Sequence, residues 1–152
     1  MDLLNGAYGN VNNVQGTSSQ YYIKKNYKIT FYRLVDGAFV KTKVPIFEDR
    51  IPVGTICIKA DYMSPDSANT GNANFWQTVC PELTPPQEND NRIQTAIMGY
   101  PILLFQRDTA SATPTFIGRY NLNNDKSNSE AFGLETPTDS GNTTKCQKWE
   151  YC

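Results

Sequence analysis

The stretch VQGTSSQYYIKKNYKITFYRLVDGAFVKTKV, residues 14–44, decides the fold that this sequence predicts. A strand is predicted at residues 21–33, because residues 27–31 alternate between apolar and polar side chains, which is typical of a half-buried strand. The apolar positions on one side are Tyr27, Ile29 and Phe31. The Asp36-Gly37 pair favours a tight hairpin turn, and residues 38–44 supply a returning strand. The segment therefore predicts an antiparallel β-hairpin.

Three later segments, residues 53–60, 97–105 and 115–122, carry the β-branched and aromatic residues of strands. The segment 97–105 is the most apolar, so we expect it to be the central strand. Pro101 should lie at its start or at a sheet edge, because proline donates no ladder hydrogen bond. The sequence thus predicts an α+β fold, a mostly antiparallel β-sheet with long loops and one or two short helices.

The strand predicted at residues 115–122 has a glycine in its middle. Period-2 alternation places Phe116 and Tyr120 on one face. Gly118 lies between them and is expected to mark a bulge.

Two short helices are predicted from capping residues. Asn72 or Asn74 can cap a helix that continues to Val79. Ser127 or Ser129 can begin a second helical turn.

The 152 residues are a one-domain length. Residues 1–20 are rich in Asn and Gly and are expected to form an extended N-terminal arm. Residues 21–152 are expected to form a single β-rich domain. The alternating segment 145–152 predicts a last strand, and because it stops abruptly we expect the chain to be part of something longer.

Charge and composition exclude several function classes. With 14 basic and 15 acidic side chains, the net charge is −1, so a nucleic-acid partner is not expected. The sequence has no histidine, which excludes Ser-His and Cys-His nucleophiles and removes the commonest metal ligand. No apolar run approaches the roughly 20 residues that cross a bilayer. Neither a cofactor, nor a bound metal, nor a membrane partner is predicted.

The four cysteines, Cys57, Cys80, Cys146 and Cys152, have spacings that match neither zinc knuckles nor a Cys-x-x-Cys redox motif. Cys57 lies in an apolar strand and is interpreted as a small buried hydrophobe. Free thiols are favoured, although a bridge among the other three stays open.

The polar and aromatic clusters each allow two interpretations. Lysines at positions 24, 25 and 28, with Arg33, Lys41 and Lys43 beyond them, favour a solvated sheet face, the alternative being an anion or phosphate site. Asp61 with Asp66, and the run Asp125-Lys126-Ser127, favour turns over carboxylate catalysis. The rings of Tyr62, Trp76 and Tyr100 favour aromatic core over a sugar-binding platform.

Several blocks of the sequence, taken in order, resemble one family. Residues 15–29 resemble a turn-and-strand segment of spore-coat CotH-like domains, with Thr17 and Ile23 departing from the family's Asn and Pro. Residues 57–75 resemble a central block of those domains, and residues 116–122 a hairpin. The match is closer to large CotH-like structural proteins of tailed bacteriophages and prophages. Its further blocks are Lys59–Tyr62, Thr84–Gln87, Gly99–Ile102, Gly118–Ser127 and Trp149-Glu150.

This resemblance, which covers about residues 14–151, implies the N-terminal part of a CotH-like domain. CotH proteins are atypical kinase-like enzymes whose nucleotide- and metal-binding carboxylates lie beyond the matched region. The resemblance therefore implies that Lys24 or Lys25 could contact phosphate, while the carboxylates that hold magnesium are missing.

The expected function is a phage virion structural or tail-associated module that acts through assembly or surface-recognition contacts rather than catalysis. Its partners would be other virion proteins or copies of itself, and its location the virion, assembled in the bacterial host cytoplasm. Two alternatives stay open. One is a CotH-like nucleotide-binding remnant, and the other is a carbohydrate-binding module that recognises a host surface glycan.

Overall fold

The computed structural model describes residues 7–16, 19–47, 49–62, 67–79, 90–109 and 111–134. These residues form one antiparallel sheet and a single α-helix, which confirms the predicted fold class. The strands are β1 (Tyr8–Gln15), β2 (Asn26–Val35), β3 (Ala38–Lys41), β4 (Thr55–Lys59), β5 (Gly99–Gln106) and β6 (Thr115–Asn124). The helix is α1 (Ala68–Val79). The sheet order is β1-β2-β4-β6-β5, and β3 pairs with the far end of β2.

The predicted hairpin is confirmed as β2 and β3. Asp36 and Gly37 both have positive φ, 49° and 80°, as a two-residue turn between twisted strands requires. The returning strand is shorter than predicted. Beyond it, Val44 forms an isolated bridge with Val53.

Residues 8–15 of the predicted N-terminal arm lie in the sheet as β1. They pair antiparallel with β2, from Tyr8 opposite Tyr32 to Gln15 opposite Asn26. This part of the arm is a strand of the domain, and the sheet begins well before residue 21.

The apolar strand predicted to be central, β5, lies at an edge of the described sheet, so this prediction is wrong. The central strands are β4 and β6, which pair from Ile56 opposite Asn124 to Lys59 opposite Asn121. Pro101 suits an edge strand, because proline has no N–H that a further strand would have to pair. Apolar content alone did not reveal the order of the strands.

The bulge predicted at Gly118 is confirmed. Leu104 pairs with Gly118, whereas Phe105 pairs with Phe116, so β6 carries one extra residue there, and Gly118 has φ 149°. The predicted shared face of Phe116 and Tyr120 is wrong for the same reason. Tyr120 pairs with Ile102, and Phe116 pairs with Phe105. Ile102 and Phe105 are three positions apart in β5 and so lie on opposite faces, which means that the bulge also places the two rings on opposite faces.

Helix α1 begins at Ala68, four residues before the earlier of the two predicted caps. Asn74, one of those caps, instead lies within the helix. Its side chain bonds both backbone groups of Gly99, with Nδ2 donating to the carbonyl at 2.8 Å and Oδ1 accepting from the N–H at 3.3 Å. The second predicted turn is confirmed as a 3₁₀ helix at Ser129–Phe132.

The hydrophobic core lies on one face of the sheet. It is formed by side chains of the central strands, of the 44–53 loop and of the 3₁₀ helix. Its most deeply buried members are Phe31, Val44, Phe47, Val53 and Ala131. Ile29 packs against this cluster and also against the smaller one around Ile58 and Tyr120, so the two are continuous. In the described part of the chain, no helix is long and apolar enough to span a membrane.

Candidate functional site: the polar face and the α1 cleft

The opposite face of the central strands is polar. The core side of the central strands carries Ile56, Ile58 and Leu122. Because side chains alternate along a strand, the neighbours of these residues in β4 and β6 point to the other side. We call this side the polar face and define it by Lys28, Cys57, Lys59, Asn121 and Asn123. Helix α1 lies over it. Two chemically different surfaces are thereby built from the same three strands.

Asp125 is the most deeply buried charge on this side. Its Oδ2 is 2.9 Å from Lys28 Nζ and accepts a hydrogen bond from Cys57 Sγ at 3.2 Å. Its Oδ1 accepts the Ser127 N–H at 2.7 Å. Burial by itself would raise the pKa of Asp125, but the hydrogen bonds from Ser127, Lys28 and Cys57 outweigh it and lower the pKa to about 2. The carboxylate is therefore ionised and tied to three groups.

Polar contacts also fix α1 to the sheet. Asn123 Nδ2 donates to Thr70 Oγ1 at 3.0 Å, and both residues are buried. At the other end of the helix, Gln77 Oε1 accepts from the N–H of Thr95 at 2.7 Å. Together with Asn74 these contacts hold the helix along its length, which fixes its distance from the strands.

Between the first part of α1, the polar face and the segment before β2 lies a cleft of about 770 Å³, here called the α1 cleft. Its wall combines lysines, amides and a pair of tyrosines. The lining side chains include Tyr22, Lys24, Lys59, Asp61, Tyr62, Asn69, Thr70, Asn123 and Lys126. Tyr22 and Tyr62 stack with ring centroids 4.5 Å apart and planes 17° apart. The size falls within the range of small-molecule sites.

The two predicted phosphate contacts lie apart. Lys24 lines the α1 cleft and donates through Nζ to the carbonyls of Ala60, at 3.2 Å, and of Arg119. The same ammonium lies 4.3 Å from the centre of the Tyr120 ring. Lys25 instead donates to the Gln20 carbonyl at 2.5 Å and is not part of the cleft wall. Lys24 alone is placed where a ligand in the cleft would meet it.

The other polar predictions are also spread over the fold. Lys28, interpreted as part of a solvated basic face, is paired with Asp125. The turn predicted at residues 125–127 contains a hydrogen bond from the Ser127 N–H to the Asp125 side chain. Asp61 accepts from Asn121, whereas Asp66 lies outside the described residues.

The three rings considered for a sugar platform do not come together. Tyr62 is at the cleft and Trp76 on α1. Tyr100 pairs with Leu122 and stacks on Phe47 at 5.7 Å, which places it on the core face.

Sequence reasoning missed several residues of the cleft. Lys59 belonged to a predicted strand, and its alternation with the buried Ile58 was the signal that it points away from the core. Thr70 and Asn123 carried no such signal, because their contact joins residues 53 positions apart.

The chemical groups that line the α1 cleft are mostly cations and hydrogen-bonding side chains. Its titratable groups are three lysines, two tyrosines, one aspartate and the buried Cys57 thiol, which donates to Asp125. Within the described ranges, no three His, Cys, Asp or Glu side chains are grouped so as to hold a metal ion. The cleft therefore offers cations and hydrogen bonds to a ligand.

The buried position predicted for Cys57 is confirmed. Cys80, Cys146, Cys152 and the strand predicted at residues 145–152 lie outside the described residues.

Comparison with models of known protein families, with curated proteins and with solved structures found no match to this chain.

Proposed function

We propose that this chain is a structural or tail-associated module of a phage virion that acts through assembly contacts and not through catalysis. The resemblance to CotH-like structural proteins of tailed phages supports the location in a virion. The observation that carries the assembly role is an exposed apolar cluster on the β5–β6 hairpin.

The cluster lies on the outer part of the hairpin, around the Gly118 bulge. Leu103, Phe105 and Phe116 are 64%, 53% and 56% exposed, and Ile117 is 40% exposed. The centroids of the Phe105 and Phe116 rings are 5.3 Å apart, so these two rings form one contiguous patch, with Leu103 and Ile117 next to them in the strands. Contiguous apolar surface of this kind marks a contact site in a stable assembly, because it costs free energy when left in water.

The patch adjoins an open sheet edge, which favours a protein as its partner. In the described part of the chain, β5 has a neighbour only on its β6 side, and β1 has one only on its β2 side. An unpaired edge offers its backbone N–H and C=O groups to a strand of another chain. A neighbouring virion subunit, either another protein or a second copy of this chain, would cover the patch and the outer part of the β5 edge, beyond Pro101 and the Gly99 groups that Asn74 binds.

The test is incorporation into particles. Tailed particles from cells that carry the gene would be purified, probed by mass spectrometry, and labelled with gold-conjugated antibodies against the chain. We expect the chain at a fixed copy number and a fixed position. Phe105→Lys should reduce its incorporation at least tenfold, because a buried unpaired charge opposes the contact.

Lys41→Gln, an exposed change on β3, is the matched control and should assemble normally. Finding the chain in the lysate but not in purified particles would contradict the proposal. So would normal incorporation of the Phe105→Lys variant.

A further inference from the structure

The α1 cleft combines four features that point to one class of ligand. It has the volume of a small-molecule site, an excess of positive charge, a helix end and a stacked ring pair of which one ring is exposed. We propose that it binds an acidic sugar, a saccharide ring that carries a carboxylate or a phosphate group.

The charge of the wall selects an anion. Lys24, Lys59 and Lys126 line the cleft against a single carboxylate, Asp61, which already accepts a hydrogen bond from Asn121. Within the described ranges, Lys59 Nζ has no hydrogen-bond or ion-pair partner, so its ammonium is available to a ligand. Ammonium groups and carboxylate or phosphate oxygens form the stronger, charge-assisted hydrogen bonds.

The start of α1 adds to the positive charge of the cleft wall. Asn69 and Thr70, in the first turn of the helix, line the cleft, and the first turn contains no acidic residue. The N-terminal end of a helix carries partial positive charge and backbone N–H groups without partners inside the helix. An anionic group between this turn and Lys59 would be attracted from two sides.

The tyrosine pair provides a surface for a ring. Tyr62 stacks on Tyr22 and remains 58% exposed, so part of its ring is open to a ligand. Aromatic faces contact the apolar C–H faces of sugars as well as other rings. The neutral polar side chains of Asn69 and Asn123 in the same wall are of the type that hydrogen-bonds hydroxyl groups.

A sugar is favoured over a nucleoside triphosphate by the distribution of carboxylates. A triphosphate is normally bound with Mg²⁺, which carboxylate oxygens hold. Among the residues described here, Asp61 is the one carboxylate that lines the cleft, and no three-residue metal group is formed. The cleft supplies its own cations in place of a bridging metal.

Ligand binding at this cleft is independent of the assembly role, because the cleft and the β5–β6 patch share no residues. The two can therefore succeed or fail separately. The experiment uses the isolated full chain and would not be affected by a failure to find the chain in virions.

Isothermal titration would compare glucuronate and glucose 6-phosphate with glucose, which has the same ring without the charge. We expect both acidic sugars to bind at least about tenfold more tightly than glucose, with an affinity that falls as salt is raised. Lys59→Gln should weaken the acidic sugars about tenfold and leave glucose unchanged, because it removes one charge-assisted bond. Lys126→Gln is a second test of the same charge, and Lys41→Gln on β3 is the control.

The comparisons between ligands and between variants decide whether the proposal holds. Preference for the acidic sugars, lost in Lys59→Gln but not in Lys41→Gln, supports the proposal. Four outcomes would overturn it: no binding of either acidic sugar up to about 10 mM, equal binding of glucose, unchanged affinity in both cleft variants, or tighter binding of Mg²⁺-ATP than of either sugar. Thermal unfolding of each variant checks that its sheet is intact.

Discussion

The two faces of the central strands are stabilised in different ways. On the core face, Phe31 and Ile56 are covered by apolar side chains and held by packing. On the polar face, the same strands are held to α1 and to the β6 turn by hydrogen bonds and by the Lys28–Asp125 ion pair. The difference teaches that one face can supply most of the stability, which leaves the other to carry charged groups and a cleft.

The largest expected effect comes from breaking the core face. Phe31 is 2% exposed, and Phe31→Ala should lower the free energy of unfolding by about 3–5 kcal/mol through lost burial and the cavity that remains. Urea unfolding followed by tyrosine and tryptophan fluorescence would measure the loss. Phe116→Ala, on the exposed patch, is the matched control and should cost under about 1 kcal/mol. Equal losses in the two variants would contradict the assignment of the core to one face.

The seam between α1 and the sheet should be the next most sensitive place. A Cβ at Gly99 would lie 2.3 Å from Asn123 Nδ2 and 2.4 Å from the Leu122 carbonyl oxygen, so Gly99→Ala should destabilise by about 3 kcal/mol. Gly71→Ala is the control, because a Cβ there meets nothing within 4 Å. It should stabilise the helix by about 0.5–1 kcal/mol. Thermal unfolding of both variants would show opposite shifts, and shifts of the same sign would count against the close approach at Gly99.

The polar face should give the smallest of these effects and the only one that depends on pH. The pKa of Asp125 is about 2 when folded and near 3.8 when unfolded, so its contribution is fully present above pH 5. It is lost as pH falls toward 2 and amounts to about 2 kcal/mol.

The measurement is the free energy of unfolding between pH 6 and about 2 for the wild type and for Asp125→Asn. The wild type should lose about 2 kcal/mol more than the variant over that interval, because the variant has no proton to bind at this site. Parallel curves would show that the carboxylate is not stabilised by its contacts with Lys28, Ser127 and Cys57.

The parts of the fold that sequence predicted correctly depend on local chemistry. The β2–β3 turn followed from Asp36 and Gly37, and the bulge from Gly118, since each residue tolerates a backbone conformation that others avoid. The start of α1 was missed because Asn74, which has the chemistry of a cap, bonds Gly99 across the fold instead.

The order of the strands and the polar face depend on contacts between distant residues. The apolar content of residues 97–105 predicted a central strand, but burial is set by which strands pair on each side, and β5 pairs only with β6 among the described strands. The sequence pointed to two residues that line the cleft. Lys24 and Tyr62 were singled out from sequence, while the contact of Asn123 with Thr70 has no sequence signature.

The pairing of β4 with β6 also has a kinetic consequence. Cys57 and Asp125 are 68 residues apart in sequence, and the strands that bring them together close a loop of similar length. Closing such a loop costs conformational entropy before any contact is gained, and it slows folding. During synthesis the strands β1 to β4 would leave the ribosome first. Synthesis of the chain from β4 to the end of β6 would take several more seconds at typical elongation rates. Until then β4, which lies in the middle of the complete sheet, is an edge strand whose side toward β6 is unpaired.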